Sequence, residues 1–187
     1  MPEITEVLKT TIARMEKSIE SLKRDLGGVR TGRASASLIE NIKIEYYGTS
    51  TPLNQLSSIN IPEARMILIE PWDKNALVDI EKGILKSDMG LNPTNDGTLI
   101  RINIPPLTEE SRKEIVKSVG NIVEQSYVAI RNIRRDSLEN FRALEKNKEI
   151  SQDESRKAQE ELQKITDSKS RLIDEIKNQK ETEIMKI

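Results

Sequence analysis

The sequence is defined first by what it lacks. Its 187 residues contain no cysteine and no histidine, and aromatic side chains make up only 3% of the chain. Without cysteine there is no disulfide framework and no thiolate nucleophile, which fits a reducing cytoplasm. Without histidine the commonest general base and the commonest metal ligand are missing. The sequence therefore predicts no catalytic site, no metal site and no cofactor.

Long apolar runs and a net charge are also missing. No stretch approaches the roughly 20 apolar residues that a membrane span requires. The N-terminal "MPEITEVLKT" does not have the pattern of a signal peptide. The 30 Lys and Arg residues nearly balance the 31 Asp and Glu residues. We expect no membrane partner, and any contact with nucleic acid must come from a local patch.

Three long segments carry the apolar periodicity of thin helices. Residues 3–29 repeat an apolar side chain every three or four positions. A second helix is predicted over 106–148 with Thr108 as its N-cap, and Ser151 with Glu154 predicts the capping box of a third. At 1.5 Å per residue the helices span about 40 Å and about 55–60 Å, which indicates an elongated bundle. The apolar face of the third helix is predicted to contain Leu162, Ile165, Leu172 and Ile176.

The middle of the chain has a different pattern. Several short stretches alternate apolar and polar side chains, as strands do, and Asp73 can cap a helix between them. The predicted strands cover residues 42–48, 58–61, 65–71 and 98–104. The predicted fold class is therefore α+β: an elongated three-helix bundle of residues 1–30 and 106–187, with an inserted small α/β domain of residues 31–105.

Two short segments connect the predicted domains. Prolines fix φ and remove backbone donors, so they keep a strand and a helix from merging, and glycine adopts φ values that other residues avoid. Two short connections with little shared core indicate a hinge between the domains. The predicted hinge residues are Arg30, Thr31, Gly32, Pro105 and Pro106.

The stretch "GGVRTGRA" at 27–34 has the glycine spacing of a phosphate-binding P-loop. That loop requires Lys and then Ser or Thr where this chain has Arg33 and Ala34. The stretch also follows a predicted helix instead of a strand. We interpret it as the end of a helix and a linker.

The predicted second helix concentrates positive charge. Residues 112–148 hold nine basic and five acidic side chains. At 100° per residue, six cations fall within a sector of about 60°, and only Glu124 interrupts it. Arg134 lies between this sector and the apolar face. The six cations, here called the basic stripe, are Lys113, Lys117, Arg131, Arg135, Arg142 and Lys146.

Two interpretations of the stripe remain open at this point. Charge spacing alone favours a solvated face paired with carboxylates of the third helix. The arginines at 131, 134 and 135 favour a phosphate-binding face, because a planar guanidinium matches phosphate bidentately. A straight helix suits the backbone of folded RNA. A different alternative for the whole protein is a coiled-coil scaffold or holdase that acts by protein contacts only.

Five stretches of the chain, in order, match a known family. The matching stretches are "RTGRAS" at 30–35, "YYGTSTPL" at 46–53, "SDMGLNP" at 87–93, "PPLTEESRKE" at 105–114 and "VAIRNIRRD" at 128–136. On these motifs the chain resembles the bacterial ribosome recycling factor family over its full length.

The resemblance implies a fold, a function and partners. It implies a three-helix bundle with an inserted α/β domain, hinged into an L shape like transfer RNA. It implies a cytoplasmic monomer that is not an enzyme and that splits the post-termination ribosome with elongation factor G and GTP. It implies that the bundle lies against large-subunit ribosomal RNA. The implied RNA-binding residues are those of the "RNIRRD" motif, Arg131, Arg134 and Arg135. Lys113, Lys117 and Arg142 lie on the same basic stripe, and we predict that they bind RNA together with these arginines.

Overall fold

The computed structural model describes residues 2–87 and 89–186. Three residues lie outside the described ones: Met1, Asp88 and Ile187. All three belong to the predicted domain ranges, and Asp88 also belongs to the "SDMGLNP" stretch. Single turns of 3-10 helix occur at Leu53–Gln55 and Lys74–Ala76. In chain order the other elements are α1 (Pro2–Gly27), α2 (Ala36–Ile39), β1 (Lys43–Tyr46), β2 (Thr49–Pro52), β3 (Ser57–Glu63), β4 (Met66–Pro71), α3 (Leu77–Lys86), β5 (Pro93–Asn95), β6 (Ile100–Asn103), α4 (Glu109–Lys146) and α5 (Gln152–Met185).

The chain divides into two compact units. One contains the residues up to Leu26 and those from Val116 onward, and the other contains Gly27–Ile115. The first is a bundle of α1, α5 and most of α4, and the second holds both sheets. The predicted α+β class is confirmed. The predicted domain limits at 30/31 and 105/106 stay a prediction.

The bundle is held by a narrow apolar core with a few buried hydroxyls. Met15, Leu22 and Phe141 are fully buried, as the periodicity of α1 and α4 predicts. Ser137, which occupies a position of the apolar seam, places its Oγ 2.6 Å from Oγ1 of Thr11 on α1. Small residues at these positions let the two helices approach closely, and their hydroxyls satisfy each other.

The apolar face predicted for α5 is only partly correct. Leu162 is buried, but Ile165, Leu172 and Ile176 are half-buried and flank the core. The centre of the buried face lies elsewhere because small and hydroxyl side chains fill it. Thr166, for example, donates its hydroxyl to the Leu162 carbonyl at 2.8 Å, so burial leaves no polar group unsatisfied. The buried residues of α5 are Ser155, Ala158, Leu162, Thr166, Ile173 and Ile184.

The second unit contains a four-stranded antiparallel sheet of order β3-β4-β6-β5 and a separate β1-β2 hairpin. Ile67 pairs with Ile102 and Ile69 with Ile100, so the buried face of the sheet is formed by isoleucines. Helix α3 packs against β1 at Gly83, where any Cβ would collide with the Ile44 side chain.

Several short elements differ from the sequence prediction. Strands β2 and β5 and helix α2 were not predicted, because β2 (Thr49–Pro52) has no apolar side chain and β5 starts with a proline at the sheet edge. The strand predicted over 42–48 ends at Tyr46, since Tyr47 and Gly48 have positive φ angles of 47° and 76°. Those angles form the tight turn of a hairpin.

Candidate nucleic-acid interface

The basic stripe is fully presented on the surface of α4. All six of its side chains, from Lys113 to Lys146, are exposed. Helix α4 begins where the sequence predicts a cap, since the Ser111 amide donates to Thr108 Oγ1 at 3.2 Å. An unbroken helix from Glu109 to Lys146 therefore displays these cations along one side. Lys113 belongs to the part of α4 that falls in the second unit, where it pairs with Glu109 at 2.9 Å.

Arg131 is held by a carboxylate of its own helix. Its Nη2 lies 2.7 Å from Oε1 of Glu124, two turns earlier, and both side chains are more than 60% exposed. Glu124 is the one acidic residue inside the stripe. An exposed pair of this kind is weak, so another anion can displace the Glu124 carboxylate.

Arg134 is held differently, by helix α5. Its Nε donates to Oε1 of Gln163 at 3.0 Å, and Nε2 of Gln163 donates to Oδ1 of Asp167 at 2.7 Å. Arg134 is half-buried, as its predicted place between the stripe and the apolar face implies. The group that holds this guanidinium, the Gln163 amide, carries no charge.

No carboxylate of α5 pairs with the basic stripe within the part of the chain that the structure describes. Among those residues, Arg135 and Arg142 make no ion pair within 4.0 Å. The interpretation of the stripe as a face paired with the third helix needed such contacts. The carboxylate of Asp174 on α5 instead accepts from the Tyr127 hydroxyl at 2.5 Å.

Tyr127 is a structural contact between α4 and α5. Burial first, and the hydrogen bond to Asp174 second, raise the pKa of Tyr127 to about 12. The phenol therefore stays protonated and donating at any physiological pH. This hydrogen bond is one of the contacts that join α4 to α5.

The residues predicted as a hinge lie together inside the second unit. Gly32 has a φ of 79°, and a Cβ there would be 3.3 Å from Cγ of Leu107. Nη1 of Arg30 donates to the Met89 carbonyl at 2.8 Å. Thr31 is half-buried and both prolines at 105–106 are exposed. Their role as a hinge stays a prediction.

Three kinds of feature concern the described residues here: a metal-binding cluster, a membrane-spanning helix and a phosphate-binding loop. Over residues 2–87 and 89–186, no group of three or more acidic, His or Cys side chains could hold a metal ion. No helix in this part of the chain is long and apolar enough to cross a membrane. The P-loop-like stretch begins at Gly27, the last residue of helix α1, so the strand that such a loop requires is replaced by a helix.

Gln163 and Asp167 are the site residues that the sequence did not predict. No pattern in the sequence indicates which α5 side chain faces Arg134. That pairing depends on the rotation and register of one helix against another. A search for polar residues near the apolar face of α5 would have found Gln163 only among many others.

Comparisons with known proteins agree over the whole chain. The sequence profile of the family described as Ribosome recycling factor matches residues 22–185. The ribosome-recycling factor of Nitratidesulfovibrio vulgaris is 54% identical over 185 residues, covering 99% of this chain and 100% of that protein. That of Bacillus subtilis is 54% identical over 182 residues, covering 97% and 98%.

Solved structures show the same fold. A solution structure of a ribosome recycling factor matches with a TM-score of 0.80 and 42% identity over 100% of both chains. A T. thermophilus ribosome recycling factor, placed with E. coli elongation factor G on the E. coli post-termination complex, matches with a TM-score of 0.68 and 45% identity over 98% of this chain and 99% of that one.

The chain is a helical bundle interrupted by a small α/β unit, and these proteins match it over its full length. The fold and the matches together define a translation factor. The chain belongs to the ribosome recycling factor family. Its function is ribosome recycling, the return of ribosomes to a new round of translation after termination.

Proposed function

We propose that this chain splits the post-termination ribosome into subunits together with elongation factor G and GTP, as a cytoplasmic monomer. The structural relative placed with elongation factor G on a post-termination complex supports these partners. We assign GTP hydrolysis, and the mechanical work that it drives, to elongation factor G. The chain is not an enzyme in this proposal, which agrees with the helix that precedes its P-loop-like stretch.

The bundle is proposed to dock on large-subunit ribosomal RNA through the stripe and Arg134. The observation that carries this is the row of exposed cations on α4 that no α5 carboxylate neutralises among the described residues. Arginine forks suit phosphate, and a rigid helix suits the shape of folded RNA. The residues assigned to the contact are Arg131, Arg134, Arg135, Lys113, Lys117 and Arg142.

Binding of purified ribosomes across a salt series tests the RNA contact. If each arginine holds a phosphate, Arg131→Ala, Arg134→Ala and Arg135→Ala should each lower the log–log salt slope by about 0.7–0.9. Affinity should fall by about tenfold to a hundredfold for each, as expected for charge-assisted hydrogen bonds of about 1.5–3 kcal/mol. Co-sedimentation with ribosomes and with isolated large subunits measures both quantities.

Arg156→Ala is the matched control. Arg156 lies on α5 with its side chain 79% exposed, and its Nε is 3.3 Å from Glu160, so it resembles Arg131 in exposure and pairing. Its loss should leave ribosome binding unchanged. Arginine variants that bind normally but melt at lower temperature would show that the cluster is structural. Binding that is insensitive to salt would favour the scaffold that acts by protein contacts only.

A further inference from the structure

A second helix fixes the guanidinium of Arg134. Gln163 accepts from Nε of Arg134 at 3.0 Å and donates to Asp167 at 2.7 Å. The Arg134 Nε can only donate and the ionised Asp167 carboxylate can only accept. The two contacts therefore allow a single orientation of the Gln163 amide, with its oxygen toward α4. Gln163 and Asp167 are four residues apart, so one face of α5 carries both.

We propose that Gln163 is a positioning residue that aims Arg134 at an RNA phosphate. This inference rests on the proposed function, in which Arg134 contacts ribosomal RNA. Because Nε donates to Gln163, the terminal nitrogens Nη1 and Nη2 can donate to two phosphate oxygens. Because the side chain is ordered before binding, less conformational freedom is lost when the phosphate arrives.

The positioning role requires that the Gln163 side chain carry no charge. A glutamate at this position would accept the same hydrogen bond, but it would neutralise the guanidinium and compete with the phosphate. The Glu124 carboxylate already accepts such a hydrogen bond from Arg131, at 2.7 Å. The chain therefore holds one arginine with an amide and its neighbour with a carboxylate, and only the first keeps its full attraction for an anion.

Ribosome co-sedimentation across a salt series tests the role of Gln163. Gln163→Ala should weaken binding about three- to tenfold, the effect of leaving one long side chain unordered. Its salt slope should equal that of the wild type, because the charge of Arg134 remains. Gln163→Glu should instead lower the slope, by less than the about 0.7–0.9 expected for Arg134→Ala, because its carboxylate competes with the phosphate. In the Arg134→Ala background, Gln163→Ala should have no further effect.

Gln159→Ala is the control, since Gln159 lies one turn earlier and, among the described residues, its side chain bonds only to Ser155 of its own helix, at 3.3 Å. It should bind as the wild type, and thermal melts should show all variants folded. Wild-type binding by Gln163→Ala, or an equal loss in the Arg134→Ala background, would overturn the positioning role alone. Wild-type binding by Arg134→Ala would overturn both this role and the proposed RNA contact.

Discussion

Two neighbouring arginines of α4 differ in the charge of the group that holds them. Arg131 faces the carboxylate of Glu124 and Arg134 faces the amide of Gln163. An exposed ion pair contributes only about 0.2–1 kcal/mol, so neither contact contributes much to folding. The two partners differ in their effect on the phosphate of the proposed RNA contact, because the Glu124 carboxylate competes with the phosphate and the Gln163 amide does not.

Removing the charge of Glu124 should tighten ribosome binding. Glu124→Gln frees Arg131 from its 2.7 Å ion pair and removes the one acidic side chain inside the stripe. We expect a gain in affinity of about two- to fivefold, the equivalent of an exposed ion pair. Equilibrium co-sedimentation at low and moderate salt measures it.

The control for this change is Glu160→Gln on α5, which breaks a similar exposed pair with Arg156 and should leave affinity unchanged. The gain should also vanish when Arg131 is replaced by alanine. Weaker binding by Glu124→Gln would contradict the account and would mean that Glu124 orients Arg131 for its ligand.

At the scale of elements, the long helices were predictable and the short strands were not. A periodic seam over 26 or more residues, with the capping box of Ser151 and Glu154 at the start of α5, leaves few alternatives. Strands such as β2 (Thr49–Pro52) exist because a neighbouring strand pairs with them. Their own residues carry no signal, since the pairing is a tertiary effect.

The turn between β5 and β6 depends on an ionised Asp96. Its carboxylate accepts from the amides of Leu99 and Thr98, and these contacts lower its pKa from the usual 3.8 to about 2. A lowered pKa stabilises the folded chain above pH 3.8, and the contribution is lost as the pH falls toward about 2.

Asp96→Asn should therefore be less stable than the wild type at neutral pH. The difference between the two should shrink as the pH is lowered from about 4 through about 2, because the carboxyl is then progressively protonated in the folded state as well. Urea unfolding at a series of pH values, followed by circular dichroism, measures this difference. A gap that is constant over this range would show that the charge of Asp96 does not stabilise the turn.

For the whole molecule, the position of the stripe could be predicted and its neighbours could not. The angular sector of Arg131 and Arg135 follows from helical geometry alone, once α4 is known to be a helix. The contact of Arg134 with Gln163 depends on how α5 is rotated against α4, which no local pattern encodes. The residues of a candidate site that lie on one helix can therefore be predicted from the sequence. The contacts that a second helix makes with them cannot.

We propose that the predicted bundle domain and the predicted α/β domain change their relative orientation at the segments 30–32 and 105–107. The first segment contains Gly32, which has a φ of 79°. The second segment contains Pro105 and Pro106, whose rings restrict φ. The chain has no cysteine, so single cysteines at Lys82 and Arg156 would label one unit each without background. Pulsed electron paramagnetic resonance should give a broad distance distribution, and a single narrow distance would refute the hinge.

The central claim is that the arginines of α4 anchor this protein on the ribosome during recycling. Its most direct test is the splitting of purified post-termination ribosomes with elongation factor G and GTP, followed by light scattering. A folded Arg131→Ala, Arg134→Ala, Arg135→Ala triple variant should need a protein concentration about a thousandfold higher than the wild type, since each arginine contributes about tenfold or more. Arg156→Ala should split ribosomes normally. Wild-type splitting by the triple variant at the same concentration would contradict the account.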